Sequence, residues 1–199
     1  MKKLISDDYK NLNSQLHQNS QAYGGSKRAL TWIPAIIDVM KTNGLKSLLD
    51  YGCGKGDLRP VLAERASFID VREYDPAIPG KSKMPEPADV VCCLDVMEHI
   101  EPEFLEAVLA HIAGLTRRCC IMRVALIPAH KTLPDGRNAH IILESPEWWT
   151  EKISRHFRIL NSATFHGKNK DQPPISIDYF LAPLLAPAPK SQRSLSQIK

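Results

Sequence analysis

The chain has 199 residues, 43% of them hydrophobic and 24% charged, with a formal net charge of +4; that length suits one well-packed core and is short for two. No apolar run is long enough to span a bilayer, and the basic start Met1-Lys2-Lys3 is followed by neither the apolar stretch nor the small-residue cleavage site of a signal peptide. The positive excess is thin: Lys27-Arg28 and the sparse Lys190, Arg193 and Lys199 read as a solvated surface before they read as a nucleic-acid footprint.

In chain order, residues 1–25 are polar and punctuated by Gly24-Gly25, an arm or short helix followed by a loop. Residues 27–42 carry Leu30, Ile33, Ile37 and Met40 at helical steps, with Pro34 in the first turns and Asn43-Gly44 as the stop. Leu45–Tyr51 is a buried strand, Gly52–Gly56 the turn after it, and Asp57 a cap for a helix bearing Leu58, Val61 and Leu62. A second strand is expected over 67–75, with Phe68, Ile69 and Val71 as its apolar content and Asp75 at its end. Prolines 76, 79, 85 and 87 hold the next segment in loops. Ala88–Leu94 is a nearly continuous apolar run, as suits an interior parallel strand. A helix over Glu101–Leu115 follows, then a strand over Arg118–Ile127, a loop over Pro128–Asn138, a helix over Pro146–His156 and two strands, Phe157–Phe165 and Ile175–Leu181. With no helix between them, the last pair should form an antiparallel hairpin at the sheet edge. Five cysteines fall partly in adjacent pairs, Cys92-Cys93 and Cys119-Cys120. Neighbours on a strand point to opposite faces, so no metal site is expected from them, and free thiols in a reducing cytoplasm explain them best.

Strands alternating with helices imply a mostly parallel sheet covered on both faces, with ligands beyond the carboxyl ends of the strands. That rule gathers Gly52–Gly56, Asp75 and Asp95 around one crevice. Gly52, Gly54 and Gly56 would let backbone approach a ligand closely and offer free N–H groups. Asp50 can receive turn N–H groups or, through water, a cationic amine, and Asp75 offers two acceptor oxygens to a ribose. The turn is not a Walker A loop, because Lys55 is followed by Gly56. Nor is it GxGxxG, because Asp57 stands in the last glycine's place.

Asp50-Tyr51-Gly52-Cys53-Gly54-Lys55-Gly56 resembles the first signature of class I S-adenosylmethionine-dependent methyltransferases. Asp75 matches the acid ending their second strand, and Asp95-Val96-Met97-Glu98-His99-Ile100 the segment after their fourth. The resemblance covers residues 45–130 and extends over 131–182. It implies a Rossmann-like, mostly parallel seven-stranded sheet with helices on both faces and a C-terminal antiparallel hairpin. It also implies S-adenosylmethionine as cofactor, with Asp50, Gly52, Gly54, Gly56, Asp75 and Asp95 as its contacts. The proline-rich stretch 76–87 departs from the pattern: the usual third strand is abbreviated or displaced, leaving Met84 or Asp89 as candidate adenine contacts.

Methyl transfer needs an aligned acceptor, and a base only where the acceptor loses a proton. Asp95, Glu98 and His99 are the first candidates for the chemistry, with Asp95, His99 and His140 as the catalytic set, although Glu98-His99 can equally cap the helix that follows. Tyr23, Arg28, Arg137 and Asn138 are candidate acceptor contacts, the last two in the loop Asp135–His140. Of Trp148 and Trp149, one is expected in the core and the other toward the loop. There is no DPPY-like tetrapeptide or Pro-Cys nucleophile, which disfavours amino or C5 methylation of DNA bases by those chemistries. The reading is therefore an N-terminal arm or lid (1–26), a methyltransferase domain (27–182) and a flexible basic tail (183–199). The expected acceptor is a small molecule, with nucleic acid and a non-catalytic cofactor-binding module as alternatives; no membrane partner and no metal are expected.

Overall fold

The largely buried runs Ser47–Tyr51, Ala88–Leu94 and Thr116–Ala125 lie side by side within one sheet. The computed structural model describes residues 3–20, 23–25, 28–168 and 171–184. Its elements run α1 (Asp7–Asn19), α2 (Ile33–Thr42), β1 (Ser47–Tyr51), α3 (Leu58–Arg65), β2 (Asp70–Tyr74) and β3 (Ala88–Leu94), then α4 (Leu105–Leu115), β4 (Thr116–Ala125), α5 (Pro146–Ser154), β5 (Phe157–Phe165) and β6 (Ser176–Pro183). The strand order is β2-β1-β3-β4-β6-β5. β2, β1, β3 and β4 are parallel, and β6 runs antiparallel to both β4 and β5. The fold is thus Rossmann-like with a C-terminal antiparallel hairpin, as expected.

The sheet has six strands among the described residues, not seven. The stretch from Pro76 to Pro87 stays a loop, because proline has no N–H for a ladder and restricts the residue before it. Asp89, a candidate adenine contact, sits at the opposite end of β3 from the crevice, where its carboxylate accepts the N–H groups of Lys46 and Ser47 at 3.0 Å each. Met84 packs on the core and accepts the Tyr74 hydroxyl at 3.7 Å. Phe68 precedes β2 and is exposed, so it contributes nothing to that strand's buried face.

Each face of the sheet carries its own core. Leu109, Ile112, Met122, Trp149 and Tyr179 pack beneath α4 and α5 on one face. Ile33, Ile36, Met40, Leu48, Leu58 and Leu62 pack beneath α2 and α3 on the other. Trp149 is the tryptophan in the core, and Trp148 packs partly buried at its margin. The cysteine pairs split as strand geometry requires: Cys93 and Cys120 join the first core, Cys92 and Cys119 the second. All five thiols are free and buried, and burial raises their pKa values, that of Cys119 to about 12.

Helix starts follow their local chemistry. Ser6 caps α1 by accepting the Tyr9 N–H, with Asp7 and Asp8 favourable in the first turn. Pro34 sits in the first turn of α2, where no intrahelical bond needs its N–H. Asp57 stands at the start of α3 but makes no side-chain capping bond. No described helix is long and apolar enough to cross a membrane. The tail expected over 183–199 lies, from 185 onward, outside the described residues, as does Lys27.

Candidate active site

β1 lies between β2 and β3, so the chain turns one way after β1 and the other way after β3. The outgoing loops diverge there and leave a cavity of ≈ 720 Å³, within the range of small-molecule sites. Asp50, Gly52, Gly54, Asp75 and Asp95 all line it. Tyr23, Arg28, His99 and His140 line it as well; Gly56, Arg137 and Asn138 do not.

The glycine turn differs from expectation in one respect. Its N–H groups are not free: those of Gly52 and Cys53 bond the Tyr74 carbonyl, Lys55 bonds Gly24 and Gly56 bonds Cys53. The Gly54 N–H donates to Asp75 at 3.1 Å. Nor is the space left by the missing side chains open to a ligand. A Cβ on Gly52 (φ 72°) would meet Val96, and one on Gly54 (φ 51°) would overlap the Gly24 backbone. The glycines are needed because protein backbone and a neighbouring strand's loop press against the turn in the left-handed region. The cavity is shaped by this close approach rather than by exposed amides.

The acidic groups arrive from three strand ends. Asp75 follows β2 and is buried, with Oδ2 accepting Gly54 and Oδ1 accepting Ala77 at 2.9 Å. Each oxygen keeps acceptor capacity for a second donor. Asp50, in β1, is buried too; burial first, then the charges of Glu73, Asp75 and Asp57, lift its pKa from 3.8 to about 7 against the pull of Lys81. Asp95 follows β3 at φ 56°, the only non-glycine residue at positive φ among the described residues. Aspartate tolerates that region better than most side chains, and the conformation costs about 1–3 kcal/mol. Its carboxylate pairs with buried Arg123 at 3.1 Å, and Arg123 lies 3.8 Å from Asp178. Burial raises Asp178 to about 7.

The other end of the cavity is built by the loop after β3, the loop after β4 and α1. His99 Nδ1 lies 2.7 Å from the Ala139 carbonyl, and His140 Nδ1 lies 2.6 Å from the Ile127 carbonyl. A carbonyl only accepts, so both Nδ1 atoms carry the proton and both Nε2 atoms keep a lone pair. The rings stand edge to face at 4.7 Å. Burial, then the neighbouring His140, pushes His99 down to about 3; burial also lowers His140. Glu98 does not cap the following helix. It is fully buried, its Oε1 accepts the Ala125 N–H at 3.1 Å, and burial followed by the charge of Asp95 raises its pKa well above the usual range.

Tyr9, Asn13 and His17 also line the cavity. They stand at four-residue steps, one stripe of α1, and that spacing was the available signal for them. The helix is fixed across the opening by Ser6, whose N–H and hydroxyl donate to Glu101 at 2.8 and 2.6 Å. The Tyr9 hydroxyl donates to the His99 carbonyl at 2.7 Å, and that of Tyr23 to Asn13 at 2.8 Å. Burial raises Tyr9 to about 12. Arg137 is held outside by Asp135 at 2.7 Å, and Asn138 is bound to both backbone groups of Ala129 at 2.9 Å.

The cavity fits S-adenosylmethionine by the chemistry of its walls. A cationic amine would offset the burial and the acidic neighbours that keep the pKa of Asp50 high, and Asp75 retains acceptor sites for a ribose diol. The family described as "Methyltransferase domain" matches residues 25–166. Among solved structures, the chain is similar to 1,6-didemethyltoxoflavin-N1-methyltransferase of Burkholderia thailandensis (14% identity, TM-score 0.61, covering 92% of this chain and 93% of that one). It is similar also to magnesium protoporphyrin IX methyltransferase of Synechocystis (18%, 0.57, 88% and 97%). A third is the methyltransferase domain of bacterial CtHen1 (12%, 0.56, 77% and 98%). At such identities the likeness carries the fold. The comparison with curated proteins gave no match.

Proposed function

The chain belongs to the methyltransferase-domain family and is an S-adenosylmethionine-dependent methyltransferase, and on that premise we propose that it methylates a small-molecule acceptor. The observation that carries this reading is the roof: α1, anchored at Glu101 and at the His99 carbonyl, contributes Tyr9, Asn13 and His17 to the wall of a cavity whose whole volume is ≈ 720 Å³. In this reading residues 1–26 serve as a lid and 27–182 as the catalytic domain, in a protein of the reducing cytoplasm.

Asp75 would accept the ribose hydroxyls of the cofactor, Asp50 would face its amine, and Asp95 would orient its methionyl part, all three lining the cavity with Gly52 and Gly54. The cofactor supplies an electrophilic methyl group on a sulfonium; the protein supplies proximity and alignment. On the acceptor side, Tyr23 and Arg28 frame the opening while His99 and His140 present Nε2 lone pairs to an O–H or N–H. His140 is the better proton acceptor, since His99 is held near 3. A nucleic-acid acceptor is the second reading, favoured by Arg28 and Lys131, which both line the cavity. Small RNA methyltransferase HEN1 is also among the structures similar in fold.

Two measurements test the assignment. Asp75→Ala should weaken S-adenosylhomocysteine binding about 10- to 100-fold, the worth of a charged hydrogen bond, with the fold kept; unchanged affinity in calorimetry would remove the residue from the site. Methyl-labelled cofactor added to a cell extract should place label in the filterable metabolite fraction. Label confined to RNA would replace the small-molecule reading with the second one.

A further inference from the structure

Glu98, His99 and His140 share a feature that cofactor binding does not use. One donor atom from each lies within 4.8 Å of the others, and all three residues line the cavity. We infer that these three residues hold one divalent transition-metal ion, with its open coordination positions facing the cavity.

The arrangement is prepared for a cation in three independent ways. Both imidazoles are locked as the tautomer whose Nε2 is unprotonated, because each Nδ1–H is bound to a backbone carbonyl, Ala139 or Ile127. A backbone acceptor behind the ligating ring is the usual outer support of a metal-bound histidine. Glu98 Oε2 is buried without a hydrogen-bond partner, a costly condition that a metal ion would relieve. The two segments are also tied together: the Glu98 carbonyl accepts the N–H groups of Ile141 and Ile142 at 2.8 and 3.1 Å, so His140 is carried against Glu98 by backbone bonds. Bonds of about 2.1 Å to a tetrahedral ion place donor atoms about 3.4 Å apart. Small side-chain rotations therefore close the group onto the ion.

Two imidazoles and a carboxylate select a first-row ion such as Mn²⁺, Co²⁺ or Zn²⁺ over Mg²⁺, and three protein ligands leave room for an exchangeable one. That ligand would be an acceptor oxygen, which narrows the acceptor class to alcohols, phenols or diols. The S–CH₃ bond breaks with its electron pair staying on sulfur, the O–CH₃ bond forms, and the hydroxyl proton leaves to water. The metal site stands on its own residues; its use in transfer rests on the proposed cofactor, and an ion held there occupies both Nε2 lone pairs, so it takes the place of His99 and His140 as proton acceptors.

The test uses the untagged full chain, stripped with EDTA and titrated with CoCl₂ by visible absorption, beside a titration with S-adenosylhomocysteine. One equivalent of Co²⁺ should bind with a ligand-field band. Glu98→Gln and His140→Gln should each weaken that binding at least about 100-fold, more than loss of an outer support costs. His130→Gln, at an exposed lining position, should keep the band. No band in the unmutated protein overturns the proposal whatever the variants do, as does a band that survives both substitutions. Cobalt failure with S-adenosylhomocysteine bound sinks the metal site alone; failure of the nucleoside titration sinks the cofactor site instead.

Discussion

Replacing Asp50 by Asn removes a buried charge while keeping the side-chain shape, and its effect should depend on pH. The carboxyl is lifted from 3.8 to about 7, by burial first and by Glu73, Asp75 and Asp57 next, with Lys81 opposing. At about 1.4 kcal/mol for each tenfold change in proton affinity, ionising it costs the fold ~4 kcal/mol. The sign follows from proton counting. Between pH 4 and pH 7 the folded protein holds a proton that the unfolded chain has released, so this residue makes stability fall as pH rises through that window and level off above it. Asp50→Asn should therefore be more stable than the parent at pH 8, by up to ~4 kcal/mol, with the gap closing as pH approaches 4. Urea unfolding of both proteins at a series of pH values, without cofactor, measures this directly. The same variant should bind S-adenosylhomocysteine about tenfold more weakly at pH 8, because the amine loses its carboxylate. Parallel pH profiles for the two proteins would show that no buried charge is relieved at this position.

Three further outcomes follow from the geometry. Gly54→Ala would push a methyl into the Gly24 backbone at a left-handed φ, costing at least about 1–2 kcal/mol; the Lys55 amide should lose exchange protection, and retained protection would contradict the close contact. Tyr9→Phe removes the hydrogen bond to the His99 carbonyl and should cost about 1 kcal/mol, seen as faster amide exchange across α1 with the sheet unaffected. Trp149→Ala empties the core beneath α5 and should cost about 3–5 kcal/mol in chemical denaturation, whereas Trp148→Ala, at the margin, should cost much less.

The sheet was legible because its central strands are buried on both faces and so read as continuous apolar runs, with loop chemistry at Gly52–Gly56 and after Leu94 marking the crevice. Proline content announced that residues 76–87 would not pair. Phe68 misled, because an aromatic beside Ile69 resembles strand content although the chain has not yet entered the ladder. The glycine turn was found for its spacing but misread in its bonding: sequence cannot reveal that Tyr74, Gly24 and Asp75 take its N–H groups, since those partners are assembled by tertiary contacts. Asp50, Asp75, Asp95, His99 and His140 all line one cavity. Arg137 and Asn138 do not, because Asp135 and the Ala129 backbone capture them locally. Glu98 was a candidate beside Asp95 and His99 with capping as its alternative; its position between Met97 and His99, just past a buried strand, does not show that it is fully buried against the Ala125 N–H.

The distribution of thiols gives the protein two internal clocks. Cys92, Cys93, Cys119 and Cys120 sit at the centre of the sheet, on both of its sides, whereas Cys53 sits in the bend that edges the cavity. None reacts with an alkylating reagent until its surroundings part and its proton can leave. Modification of Cys53 would thus time the breathing of the ligand-facing rim, and that of the other four would time disruption of the sheet. A bound nucleoside would slow the first clock far more than the second.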